Sequence, residues 1–163
     1  MIILGIDPGY AIIGFGVISN CNGKIQTLGY GAVTTAPNLD MNTRLSIIYD
    51  ELAQIILKYN PSCMSIEKLY FTTNQKTALA VAQARGVILL AGKKNNLDIF
   101  EYTPLQVKQA VVGYGKATKA QVISMTASIL NLKSTPKLDD TADALAIAIC
   151  HAHSSTSLFT LYK

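Results

Sequence analysis

The chain has 163 residues, half of them hydrophobic and 15% charged, which suits one globular domain with a real core and excludes a disordered tail. No apolar run reaches the roughly 18 residues needed to cross a bilayer, and the N-terminus has neither the basic stretch nor the small-residue cleavage site of an exported chain, so a cytoplasmic protein away from membranes is expected. The net charge of +4 is unevenly spread: residues 68–138 hold ten bases against Asp98 and Glu101, a local +8 suited to a polyanion such as nucleic acid.

Ile2–Ile6 is apolar and β-branched enough for a buried strand. Asp7 follows it, ahead of Pro8-Gly9, and by itself reads as a turn residue. Ile12–Ser19 and Lys24–Val33 read as two further strands joined by an Asn22-Gly23 hairpin turn. Between Asp40 and Tyr59, apolar residues recur at steps of three and four, so the segment is a helix, ended by Asn60-Pro61. Cys63–Ile66 is a fourth strand running into Glu67, Thr77–Leu90 an apolar helix ended near Gly92, and Leu97–Tyr102 a fifth strand. Pro104 opens another helix, and Gly113-Tyr114-Gly115-Lys116 leads to one over Lys119–Leu130. A last apolar helix spans Asp139–Ala152, followed by a short Ser/Thr-rich tail from about residue 154. The order β-β-β-α-β-α-β-α-α-α predicts an α/β protein whose fourth strand lies parallel to the first, in a mixed sheet covered by helices. Cys21, Cys63 and Cys150 are odd in number and scattered, as reduced thiols are.

This arrangement sets Asp7 and Glu67 at the carboxyl ends of neighbouring strands, where sites of open α/β sheets gather. Asp140 and Asp143, three apart, share one face of the final helix. Asp139 and Asp140 also suit a helix N-terminus as plain dipole charges, whereas Asp143 sits among Ala and Leu, where an unpaired carboxylate is costly. Four converging carboxylates repel, each pair at 4 Å by on the order of 4 kcal/mol at an effective dielectric of 20. They persist ionised only with cations between them. An all-oxygen set selects hard ions, Mg²⁺ first, and two such ions ~4 Å apart drive in-line phosphodiester hydrolysis. Lys108, Lys116 and Lys119 surround the Gly-rich stretch and are placed to hold phosphates, or else form a solvated helix face.

The segments LGIDPGYAIIGFGVI, SIEKLYF, QARGV, QVKQAVVGYGKATKAQV and DTADALAIAICHAH together resemble the RuvC-type crossover junction endodeoxyribonucleases, the bacterial Holliday junction resolvases, over essentially the whole chain. The resemblance implies a ribonuclease H-like nuclease domain spanning residues 1–163, a homodimer, and Mg²⁺-dependent nicking of two opposed strands of a four-way DNA junction in recombination and repair. Two Mg²⁺ per site are implied, with Mn²⁺ able to substitute, and the RuvA–RuvB branch-migration complex is the implied partner. By position the four acidic ligands fall on Asp7, Glu67, Asp140 and Asp143, with Asp139 an adjacent alternative to the third. The two functional lysines fall on Lys108 and Lys119. The base-stacking aromatic falls on Tyr70 or its neighbour Phe71, since this chain carries Tyr where the family usually has Phe. The apolar Thr77–Leu90 helix is the candidate dimer surface, with a central core helix as the alternative. Two other readings compete. A sugar-kinase or actin-type phosphate loop, with Asp7, Gly9, Gly14 and Gly16, needs a second domain that 163 residues do not hold. A non-catalytic junction-binding module has no use for four acids.

Overall fold

The structure is a computed structural model and describes residues 1–69, 75–133 and 139–161. Strands β1 (Ile2–Asp7), β2 (Ile12–Cys21) and β3 (Lys24–Thr34) form an antiparallel meander. The β2–β3 turn is Asn22-Gly23 with φ of 51° and 83°, the two positive values a primed hairpin turn demands. Helix α1 (Met41–Tyr59) follows, then β4 (Cys63–Glu67), α2 (Gln75–Lys94), β5 (Asp98–Tyr102), α3 (Pro104–Val112), α4 (Lys119–Ile129) and α5 (Asp139–Leu161). The sheet order is β3-β2-β1-β4-β5, with β4 parallel to both β1 and β5. The expected mixed five-stranded sheet is thus present. Asp40 lies just outside α1 as its N-cap, accepting the Thr43 amide at 3.1 Å, and Asn60 closes the other end in the left-handed region.

Side chains of a strand alternate between faces, and this alternation divides the core. Leu4, Ile6, Met64 and Ile66 point to one face, where they join Ile48, Leu52 and Ile56 of α1 and Ala84, Ile88 and Ala91 of α2. Ile3, Ile18 and Cys63 point to the other, against α5 and residues of α3 and α4. Asp7 and Glu67 sit in phase with Ile3 and Cys63. Both carboxylates therefore emerge on the α5 face.

Helix α5 packs closely onto that face where the strands beneath it carry glycine. A Cβ on Gly5 would collide with the Ala144 carbonyl and Ala148, one on Gly14 with the Asp140 carbonyl, and one on Gly16 with Leu145. Side-chain bonds then fix the helix along its length. The Thr141 hydroxyl donates to the Gly31 carbonyl at 3.1 Å, and the Asn20 amide to the Ala152 carbonyl at 3.3 Å. Burial pushes the His151 pKa down, and its Nδ1 shares a hydrogen bond with the Tyr102 hydroxyl at 2.8 Å, beside the Phe100 ring.

Two expectations need adjustment. Helix α5 does not end near Ala152 with a tail from about residue 154; it runs on to Leu161. No Gly or Pro interrupts residues 154–161, and the Ser154 and Ser155 hydroxyls fold back onto the Cys150 and Ala152 carbonyls at 2.8 and 3.0 Å. Helix α2 is neither wholly core nor wholly surface. Ala84, Ile88 and Ala91 are buried, while Leu79 and Leu90 on its other side are 67% and 50% exposed.

Candidate active site

The parallel pairing of β1 and β4 brings Ile6 opposite Ile66, so Asp7 and Glu67 leave adjacent strands at the same edge and on the same face. Asp7 itself pairs with Gly14. Gly14 is the residue whose missing Cβ admits the Asp140 backbone, so the first turn of α5 is seated directly over the end of β1. Asp143 lies one turn further along. The sequence thus places these four acids by three separate devices: strand phase, parallel register and a glycine seat.

The lysines enter from the capped starts of two helices. Thr103 and Gln106 form a capping box at α3, and Thr118 and Gln121 form another at α4. Lys119 is the first residue of α4, and its ammonium lies 3.1 Å from Asp143 and 3.3 Å from Asp139. Lys108 and Lys119 join Glu67 and Asp143 in lining a cleft of about 240 Å³, whose apolar wall is Pro104, Val107, Val122 and Ile147.

Burial and neighbouring charge act together on three of the acids. The Asp7 pKa is raised from 3.8 to about 7, first by burial and then by the charges of Glu67, Asp143 and Asp140, against a smaller opposing pull from Lys119. Burial and Asp143 raise Glu67 as well. Asp143 is raised chiefly by burial, although the Lys119 hydrogen bond works the other way. Burial draws Lys119 down, but its bonds to Asp143 and Asp139 outweigh that and leave its pKa raised.

Whether the residues suit a metal ion has two sides. The donors are all carboxylate oxygens, partly buried, mutually repelling and already drawing in an ammonium, which is the chemistry a hard cation answers. Yet among the described residues no three His, Cys, Asp or Glu side chains stand close enough to grip an ion. The carboxylates act on one another without forming a closed three-ligand cage among the described residues. The donor chemistry fits a divalent ion, and closure around one requires the side chains to turn inward.

Of the other expected site residues, Lys116 is exposed on the loop and is absent from the cleft lining. Tyr70 and Phe71 lie outside the described residues. Sequence reasoning did not find the Lys119–Asp139 contact or the apolar wall of the cleft. It also took Gly14 and Gly16 only as a possible phosphate loop.

A sequence profile of the family described as crossover junction endodeoxyribonuclease RuvC matches residues 3–151. The chain belongs to the RuvC family. It is 54% identical over 163 residues to the RuvC of Alkaliphilus oremlandii, covering 99% of both chains. It is 55% identical over 155 residues to that of Clostridioides difficile, covering 95% of this chain and 92% of the relative. A Thermus thermophilus RuvC solved in complex with a Holliday junction substrate superposes with a TM-score of 0.92 at 33% identity, over 96% of each chain. The ribonuclease H-like fold expected from the resemblance is therefore present. No helix among the described residues is long and apolar enough to cross a membrane.

Proposed function

We propose that this RuvC-family chain is an endodeoxyribonuclease that resolves four-way DNA junctions in recombination and repair, cutting two opposed strands symmetrically as a homodimer. Residues 1–163 act as one nuclease domain in the cytoplasm, with the RuvA–RuvB branch-migration complex as partner. The observation that carries the reading is the coupled burial of Asp7 with Glu67, Asp143 and Asp140 at one sheet edge, in a chain of this family. A pure binder of a polyanion gains nothing from four acids at the point of contact.

Asp7, Glu67, Asp140 and Asp143 would hold the metal, taken as two Mg²⁺ with Mn²⁺ able to replace them. When bound, such a pair supplies a hydroxide nucleophile and stabilises the charge on the leaving oxygen. Water adds to phosphorus as the P–O3′ bond breaks, which leaves a 5′-phosphate and a 3′-hydroxyl that a ligase can rejoin. The carboxylates must be ionised for this, and a bound cation favours that form by opposing the burial and mutual repulsion that raise Asp7. Lys108 and Lys119 in the cleft, with Lys116 on the loop nearby, hold backbone phosphates, which fixes the register of the strand without reading its sequence. Either Tyr70 or Phe71 offers a π-face to an unpaired base. The exposed Leu79 and Leu90 give α2 the apolar outer stripe of a two-fold interface, which would set two sites symmetrically on one junction.

The test is incubation with a synthetic four-way junction, with and without Mg²⁺, mapped to nucleotide resolution. Paired nicks with Mg²⁺ alone, abolished by Asp7→Asn while junction binding persists, are expected. Binding without nicks under every divalent ion would instead favour the non-catalytic module.

A further inference from the structure

The Lys119 ammonium bridges two carboxylates of different standing. Asp143 is the more sheltered, with its side chain 32% exposed, and it lines the cleft; Asp139 is 65% exposed. Asp139 is not among the charges that act most strongly on Asp7, whereas Asp140 and Asp143 are. Its charge acts on Asp143, ahead of that of Asp140, and its carboxylate touches the cation at the cleft mouth. Asp139 and Asp143 are four apart on α5, so both face α4, where Thr118 and Gln121 fix the helix start that carries Lys119.

Resting on the nuclease reading above, we propose that Asp139 is a positioning residue for Lys119. It keeps the ammonium at the cleft mouth when Asp143 is claimed by a divalent ion. A doubly charged ion and the ammonium compete for the same Asp143 oxygen, and at equal distance the ion's attraction is twice as strong. Without a second partner, Lys119 would then be released to solvent with its long stem free to reorient, and holding a phosphate would require ordering it again. With Asp139 in place it exchanges a two-carboxylate bridge for a single anchor. Asp139 thus supplies a lysine already aimed at the incoming strand.

The test uses the full chain carrying isotope-labelled lysine, saturated with Mg²⁺ and free of DNA. The Lys119 ammonium is expected to exchange slowly with solvent in the wild type, rapidly in Asp139→Asn, and slowly again in Asp139→Glu. Mn²⁺ affinity, followed by electron paramagnetic resonance, should stay within about threefold of wild type in Asp139→Asn. In single-turnover cleavage, Asp139→Asn should slow the rate about two- to fivefold, the range of an exposed ion pair. In a Lys119→Met background it should add no further loss. A tenfold fall in Mn²⁺ affinity would make Asp139 a metal ligand and overturn the proposal. So would an unchanged ammonium exchange, or an equal loss of rate in the Lys119→Met background. Should the wild type leave four-way junctions uncut, the nuclease reading fails. The exchange and Mn²⁺ measurements still decide the placement of Lys119, because they need no cleavage.

Discussion

The two faces of the sheet solve different problems. On the α1/α2 face, large aliphatic side chains fill the space: Leu4, Ile6, Ile48, Leu52, Met64, Ile66 and Ile88 are all fully buried. On the α5 face the central contacts are small, with Gly5, Gly14 and Gly16 below and Ala144, Ala148 and the α5 backbone above. Burying large side chains stabilises most, at roughly 25 cal/mol per Å² of apolar surface, but such cores also tolerate volume-conserving change. At Gly14 the neighbours are α5 backbone atoms alone, which leaves no side chain to adjust. Both faces bury large aliphatic side chains, Ile3, Ile18, Leu145 and Ile147 among them on the second, and the glycines of the second also hold the first turn of α5 at a fixed height over Asp7.

Substitutions on the two faces should therefore fail differently. Gly14→Ala places a methyl into the Asp140 carbonyl and must lift the start of α5. Displacing catalytic groups by ~1 Å costs about 10²-fold in rate, so cleavage by the folded fraction should fall by at least that, alongside a stability loss of roughly 1–3 kcal/mol. Ile88→Ala on the opposite face should cost about 2–5 kcal/mol in denaturant unfolding, with cleavage per folded molecule within twofold of wild type. If Ile88→Ala lost activity faster than stability, the division between the faces would be wrong. Lys119→Ala is the mildest. It should weaken junction binding and reduce the slope of log K against log salt by about one, and an unchanged slope would remove Lys119 from the phosphate contacts.

The division of labour also marks what the sequence made legible. Runs such as IILGI and CMSI end in acids, so strand, carboxyl end and carboxylate could be read together, and the chain order then made β1 and β4 neighbours. The Asn22-Gly23 hairpin, the Asn60-Pro61 stop and the Pro104 start each rest on one or two residues with strong backbone preferences. The glycine seat was not legible, because what Gly14 requires is an absence of atoms opposite a helix more than a hundred residues later. The sequence favours Asp140 over the adjacent Asp139 through the DTAD spacing alone; the Lys119 contact of Asp139 depends on the position of α4 and was not legible. The end of α5 was missed because a Ser/Thr-rich composition suggests a tail, while Ser154 and Ser155 bond back into the helix.

The central claim is that the fold holds Asp7 where its charge is unfavourable unless a cation answers it. Its pKa of about 7 against an ordinary 3.8 means that the native protein binds more protons than the unfolded chain between those values. Metal-free stability should accordingly fall as pH rises through that window, by up to about 4 kcal/mol from this group. The most direct measurement is unfolding of wild type and Asp7→Asn at pH 8, with and without Mg²⁺. Asp7→Asn is expected to be the more stable of the two without metal and inactive toward junctions, while Mg²⁺ raises the unfolding midpoint of the wild type far more than that of the variant. Equal metal-free stabilities together with equal Mg²⁺ shifts would contradict the account.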